Sequence, residues 1–262
     1  MSLKPLLRIL KILYFGTYLI KIHLTSYIAS IINGALWFIL ILVPAMTFSE
    51  DVSKAFTIFL PGVLVLMSCG VAVAAAIEFL RWYVNQGLTD MFRECGLNVF
   101  SYLLSGVHID TFIFGLLSYM LIGAASSYYV GLKPSAIIPL RPLYFMASLL
   151  TIIPAYLLIG SMTAYIYTVT RISSAWMLLA QMILTIGTLV PPSTSVNPLI
   201  YLINPATLAS ELARAAYGSN VVDESILIVL ALPLSVIYII IAYLLGVRSD
   251  RYISRYGLEY RY

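Results

Sequence analysis

The sequence predicts an all-α integral membrane protein: six transmembrane helices, an N-terminal interfacial helix, and a re-entrant outer helical hairpin between the fifth and sixth spans. Three observations predict it. Of 262 residues, 61% are hydrophobic and 10% charged, against about 25% charged in soluble domains. Six blocks contain no Asp, Glu, Lys or Arg: residues 27–48, 55–77, 111–130, 142–170, 172–190 and 225–247. Each is close to or longer than the ~20 residues that cross a bilayer. Between the last two blocks lies an apolar stretch, 191–217, that carries Pro191, Pro192, Pro198 and Pro205.

Each proline removes a backbone donor and clashes with the preceding turn, so a straight spanning helix is excluded there. Two half-depth helices, broken at Asn197-Pro198 and Asn204-Pro205, fit the pattern. Their freed backbone groups are tolerable only under cover of protein or beside a water-filled cavity, which predicts one wall of a transport pathway. The alternative is a loop resting on the membrane surface.

Residues 3–22 set Lys4, Arg8 and Lys11 on one helical face and Leu3, Leu6, Leu10, Leu13 and Tyr14 on the other. That division predicts a helix lying in the interface plane, or else a basic extension of the first span. Basic residues favour the cytoplasmic ends of spans. With the N-terminus inside, Lys4, Arg8, Lys11, Lys21, Arg81, Arg93, Arg171, Arg248, Arg251, Arg255 and Arg261 fall on that side. Lys54, Lys133, Arg141 and Arg214 fall outside. The expectation is a multi-pass protein of the cell membrane with both termini cytoplasmic. Its net charge of +4 suits anionic headgroups, and no nucleic-acid motif is present.

After the second span, Thr89 can cap a short helix, Asp90 stands in its first turn, and Gly96 offers a left-handed stop. A cytoplasmic helix over 86–96 follows, too short to be stable unpacked. Asp90 and Glu94 lie four apart on it and read as a solvated face, since two carboxylates alone rarely hold a metal. The fourth block must tilt, kink at Pro154 or overrun the hydrocarbon. Glu211 and Arg214, three apart, can pair at the outer surface. Cys69, Cys95, His23 and His108 are isolated and indicate neither a disulfide nor a metal site. The whole chain, 1–262, reads as one transmembrane domain.

All six blocks lack ionisable carboxylates and amines, so the ion coupling of secondary transporters finds no foothold in them. There is no GxxxxGK[ST] phosphate loop, no HExxH and no GxSxG elbow, so no catalytic residue or cofactor is expected on this chain. Uncharged polar residues remain for substrate contact: Asn33 and Trp37 on the first span, Tyr156, Thr163 and Tyr167 on the fourth, and Gln181, Thr185 and Thr188 on the fifth. Such residues equally serve to hydrogen-bond helix to helix.

Two passages resemble the permease subunits of type 2 ABC exporters. The segment QGLTDMFRECGLNVFSYLLSG is similar to that family's cytoplasmic coupling loop, with Gly87, Thr89 and Asp90 near its characteristic positions. The stretch NPLIYLINPATLASELARAAYG is similar to the run after the fifth span, with Asn204, Pro205 and Arg214 matching. The resemblance implies a pathway shared with a second permease copy or paralogue, and two separate ABC ATPase subunits that carry ATP and Mg. It also implies that Leu88, Thr89, Asp90, Met91, Phe92, Arg93 and Glu94 contact those ATPases. A lipid-modifying membrane enzyme and a non-transporting scaffold or immunity protein are the readings from other classes. The first predicts turnover by the chain alone, the second partner binding without flux.

Overall fold

The computed structural model describes residues 4–22, 24–80, 98–170, 187–192 and 197–256. Helices dominate the described residues, and five of them are long and apolar enough to cross a membrane, the pattern of a multi-pass membrane protein. The chain opens with α1 (Lys4–Ile22) and α2 (Leu24–Thr47), then α3 (Val52–Glu78). Asp51 starts α3 by accepting from the Lys54 amide at 2.9 Å, one of the orphan donors of a helix start.

The third long helix is continuous from Val99 to Tyr129. It consists of α4 (Val99–Ile109), a π-helical turn (Asp110–Gly115) and α5 (Leu116–Tyr129). Asn98 accepts from the Ser101 amide at 2.7 Å, and Asp250, far along the chain, accepts from the Val99 amide at 3.3 Å. A 3₁₀ turn (Pro134–Ile137) leads to α6 (Pro142–Thr170). The short helices α7 (Pro198–Tyr201) and α8 (Pro205–Ala215) precede the long α9 (Glu224–Tyr256).

Helix α8 sits at the centre, packed on α3, α6 and α9, while α6 also contacts α3 and α9. All eleven residues of α8 are buried. In contrast, α2 and α9 turn most of their surface away from the chain. Between α6 and its neighbours the approach is close: a Cβ at Gly160 would stand 2.9 Å from Leu103 and 3.3 Å from the Ala72 carbonyl.

Two expectations change, and the first helix gains a packing partner. The third span begins at Val99 rather than 111, so Asp110 lies inside it and the membrane helices are not free of carboxylates. A search for charge-free blocks stops at that residue by construction. The last helix runs beyond 247 to Tyr256, because exposed charges do not end a helix and no proline follows Pro233. Finally, Gly16 abuts the Ser105 carbonyl, Thr17 meets His108 at 3.1 Å and Tyr27 packs edge-on against Phe114 at 5.7 Å. From Gly16 onward, α1 and α2 therefore travel in step with the third long helix. Helix α1 is thus packed lengthwise on the first part of that helix and α2 on the second.

Candidate functional site

Two buried polar centres stand out, one on α8 and one where the third long helix meets α6. Pro205 opens α8, and the Asn204 side chain accepts from the Ala206 amide at 3.0 Å. A proline in the first turn sacrifices only an amide that would lack a partner anyway. The far end closes with Gly218 at φ 71° and the Ser219 amide donating to the Arg214 carbonyl at 3.1 Å. Neighbours supply the remaining cover: Ser148 on α6 donates to the Ala209 carbonyl at 2.8 Å, and Tyr238 on α9 donates to the Leu202 carbonyl at 2.8 Å.

Glu211 and Arg214 form an ion pair within α8, with 2.7 Å between Oε1 and Nη1 and 0% exposure of either side chain. Arg214 also donates from Nε to the Ile58 carbonyl at 3.1 Å and from Nη2 to the Thr188 carbonyl. The second oxygen of Glu211 accepts from the Val221 and Val222 amides at 2.8 and 3.1 Å. The surface pair expected from the spacing is thus an interior one. Spacing placed both residues on one helical face, and that face meets α3. Burying two charges costs several kcal/mol per ion unless their hydrogen-bonding capacity is met; here backbone groups from three segments meet it.

The second centre is Asp110, 5% exposed. Its Oδ2 accepts from the Tyr156 phenol at 2.5 Å. Tyr102 on α4 and Cys69 on α3 stand within electrostatic range of the same phenol. Asp110 is not among the residues that the sequence singles out. The available signal was a lone carboxylate interrupting an otherwise apolar stretch of spanning length.

The expected pathway residues fall into two groups. Tyr156, Thr163, Tyr167 and Thr188 are buried within the chain. Thr163 donates to its own helix at Ile159, 2.8 Å away, and the Thr188 carbonyl serves Arg214. Asn33 and Trp37 instead point away from the chain on α2. Within this chain the first group faces inward and the second outward.

Helices begin at Pro198 and Pro205, directly after Asn197 and Asn204. Gln181 and Thr185 lie outside the described residues, as do Leu88, Thr89, Asp90, Met91, Phe92, Arg93 and Glu94 and the whole of 86–96. A cleft of about 720 Å³ opens beside the end of α8, lined among others by Asp51, Lys54, Thr57, Pro191, Ser219 and Asn220. Among the described residues no three of His, Cys, Asp and Glu gather as metal ligands. No protein-family model, curated protein or solved structure matches this chain.

Proposed function

We propose that this chain is the membrane-spanning permease subunit of an ATP-binding cassette exporter. It would form the substrate pathway with a second permease copy or paralogue and be driven by separate ATPase subunits that bind ATP and Mg. The supporting observation is α8, a short helix started by Asn204-Pro205 and seated among α3, α6 and α9. It agrees with the Asn-Pro-led run that the resemblance implies after the fifth span. In this reading 172–190 is the fifth of six spans, 191–217 is a re-entrant outer hairpin, and both termini are cytoplasmic.

Helix α2 supports a shared pathway. Asn33 stands near its middle with its side chain directed away from its own chain, and an amide left bare in hydrocarbon costs several kcal/mol. A facing permease or a wetted pathway between two copies removes that cost. The segment 86–96 would receive the push of ATP-driven closure, and rigid spans would carry it to the pathway.

Co-purification tests this reading. The chain expressed with the ATPase encoded beside it is expected to yield a stable complex whose ATP hydrolysis is uncoupled from transport by charged substitutions at Met91 and Phe92. Failure of every such ATPase to bind overturns it, and turnover of a lipid by the purified chain alone would favour an enzyme.

A further inference from the structure

The third long helix holds a buried carboxyl within its apolar length. Asp110 is the twelfth residue of Val99–Tyr129, about 17 Å along a helix rising ~1.5 Å per residue. That is roughly the half-thickness of a ~30 Å hydrocarbon core. Charged groups at such depth are rare and usually paired. Glu211 shows how this chain pairs one: a guanidinium and two amides surround it. Asp110 has no such provision. Among the described residues its one side-chain partner is the Tyr156 phenol, and no lysine, arginine or histidine forms an ion pair with it.

The backbone around it departs from the α-helix at that point. Asp110 opens the π-helical turn, and its amide is shared between the Gly106 and Val107 carbonyls. Such turns often mark functional positions because they re-aim a side chain and loosen the ladder. A Cβ at Gly106 would stand 3.2 Å from Asp110 Oδ2 and 3.6 Å from the Tyr156 oxygen, so glycine leaves space against the pair. The next residue, Thr111, has a buried hydroxyl without a partner.

We infer that Asp110 is a proton-binding site: its carboxyl gains a proton from, and returns it to, the aqueous phase while Tyr156 keeps a hydrogen bond to either form. As a carboxylate it accepts from the phenol; as an acid it presents its carbonyl oxygen to the same donor, or donates its own proton to the phenol oxygen. The titratable groups around the pair are Tyr156 from α6, Tyr102 from α4 and Cys69 from α3. His108, two residues earlier, turns its Nε2 to Thr17 on α1. None of these carries a formal negative charge at neutral pH, so among the described residues a proton arriving at the pair has one anionic acceptor, Asp110. The inference does not rest on the permease reading, from which it removes one support, the lack of ionisable groups in the spans, and it is tested on the chain alone.

The experiment is infrared difference spectroscopy of the full chain in lipid nanodiscs as the pH of the buffer is stepped. The expected result is a protonated-carboxyl C=O band that rises and falls with pH, is lost in Asp110→Asn, and shifts in Tyr156→Phe. Difference spectra that superimpose for the wild type and Asp110→Asn overturn it. If Asp110→Asn does not fold, isotope-labelled aspartate in the wild type and in Tyr156→Phe decides instead. A titrating labelled band moved by the tyrosine substitution supports the site, and an unmoved or absent one rejects it.

Discussion

Arg214 Nη1 lies 2.7 Å from Glu211 Oε1, and neither side chain is exposed. Removing one partner from such a pair strands the other as an uncompensated charge, at about 3–5 kcal/mol, whereas replacing both is often near neutral. Arg214→Met is therefore expected to lose most folded protein on mild heating in detergent, and Arg214→Met with Glu211→Gln to recover much of it. A double variant no better than the single would show that the backbone contacts to Ile58 and Thr188, not the ion pair, hold α8.

Pro61 lies inside α3 and supplies no amide to the Thr57 carbonyl four residues earlier. Ser219 fills the vacancy, its hydroxyl donating to that carbonyl at 2.7 Å. This carbonyl is part-buried at the cleft wall, so losing its partner costs at most the low end of the ~1–3 kcal/mol of a buried group, and Ser219→Ala should lower the melting temperature modestly. In a Pro61→Ala background, where residue 61 can donate, the same change should cost measurably less. Equal costs in both backgrounds would separate the two features.

Two glycines make an internal comparison. A Cβ at Gly62 would overlap the Thr188 carbonyl and stand 3.3 Å from Arg214 Nη2, whereas one at Gly34 would meet the flexible end of Met67 at 2.7 Å. Overpacking against fixed groups costs about 1–3 kcal/mol, while a thioether can swing aside. Gly62→Ala should reduce thermal stability clearly and Gly34→Ala little; the reverse order would contradict the packing described for α3.

Asp223 precedes α9 and accepts from the Ser225 amide at 2.8 Å and from the Ser225 hydroxyl, which holds its carboxyl below the usual range. A carboxyl depressed on folding stabilises above its unfolded pKa, near 3.9, and that contribution fades as pH falls through the folded value. Helicity of the wild type is expected to fray below about pH 4 more than that of Asp223→Asn, which keeps a capping oxygen without the titration. Identical acid profiles would count against the cap.

Helical membrane character was legible because apolar runs and their charged borders are local. The block 142–170 coincides with α6, since the charges of Arg141 and Arg171 bracket an unbroken apolar run. Asn204-Pro205 is equally local, a cap followed by a first-turn proline. Asp110 was not legible as part of a span because the phenol that accommodates it comes from Tyr156, 46 positions later. Nor was the interior position of Glu211 and Arg214, whose partners at Ile58, Thr188, Val221 and Val222 belong to segments that only the fold assembles. The packing of α1 was hidden for a related reason: its neighbours Ser105 and His108 lie about ninety positions away.

The bonds made by Glu211 and Arg214 have a mechanical consequence. They moor one short helix to α3, to the strip around Thr188 and to the chain entering α9, so these pieces move as a single block. A larger molecule pressing into the neighbouring 720 Å³ cleft would not peel that block apart. The compliant point nearest to hand is Pro61, where the ladder of α3 already has a missing rung. Strain from widening the cleft would fall on the wall that α3 supplies before that proline, at Asp51, Lys54 and Thr57, while the moored helix stays seated on α6 and α9.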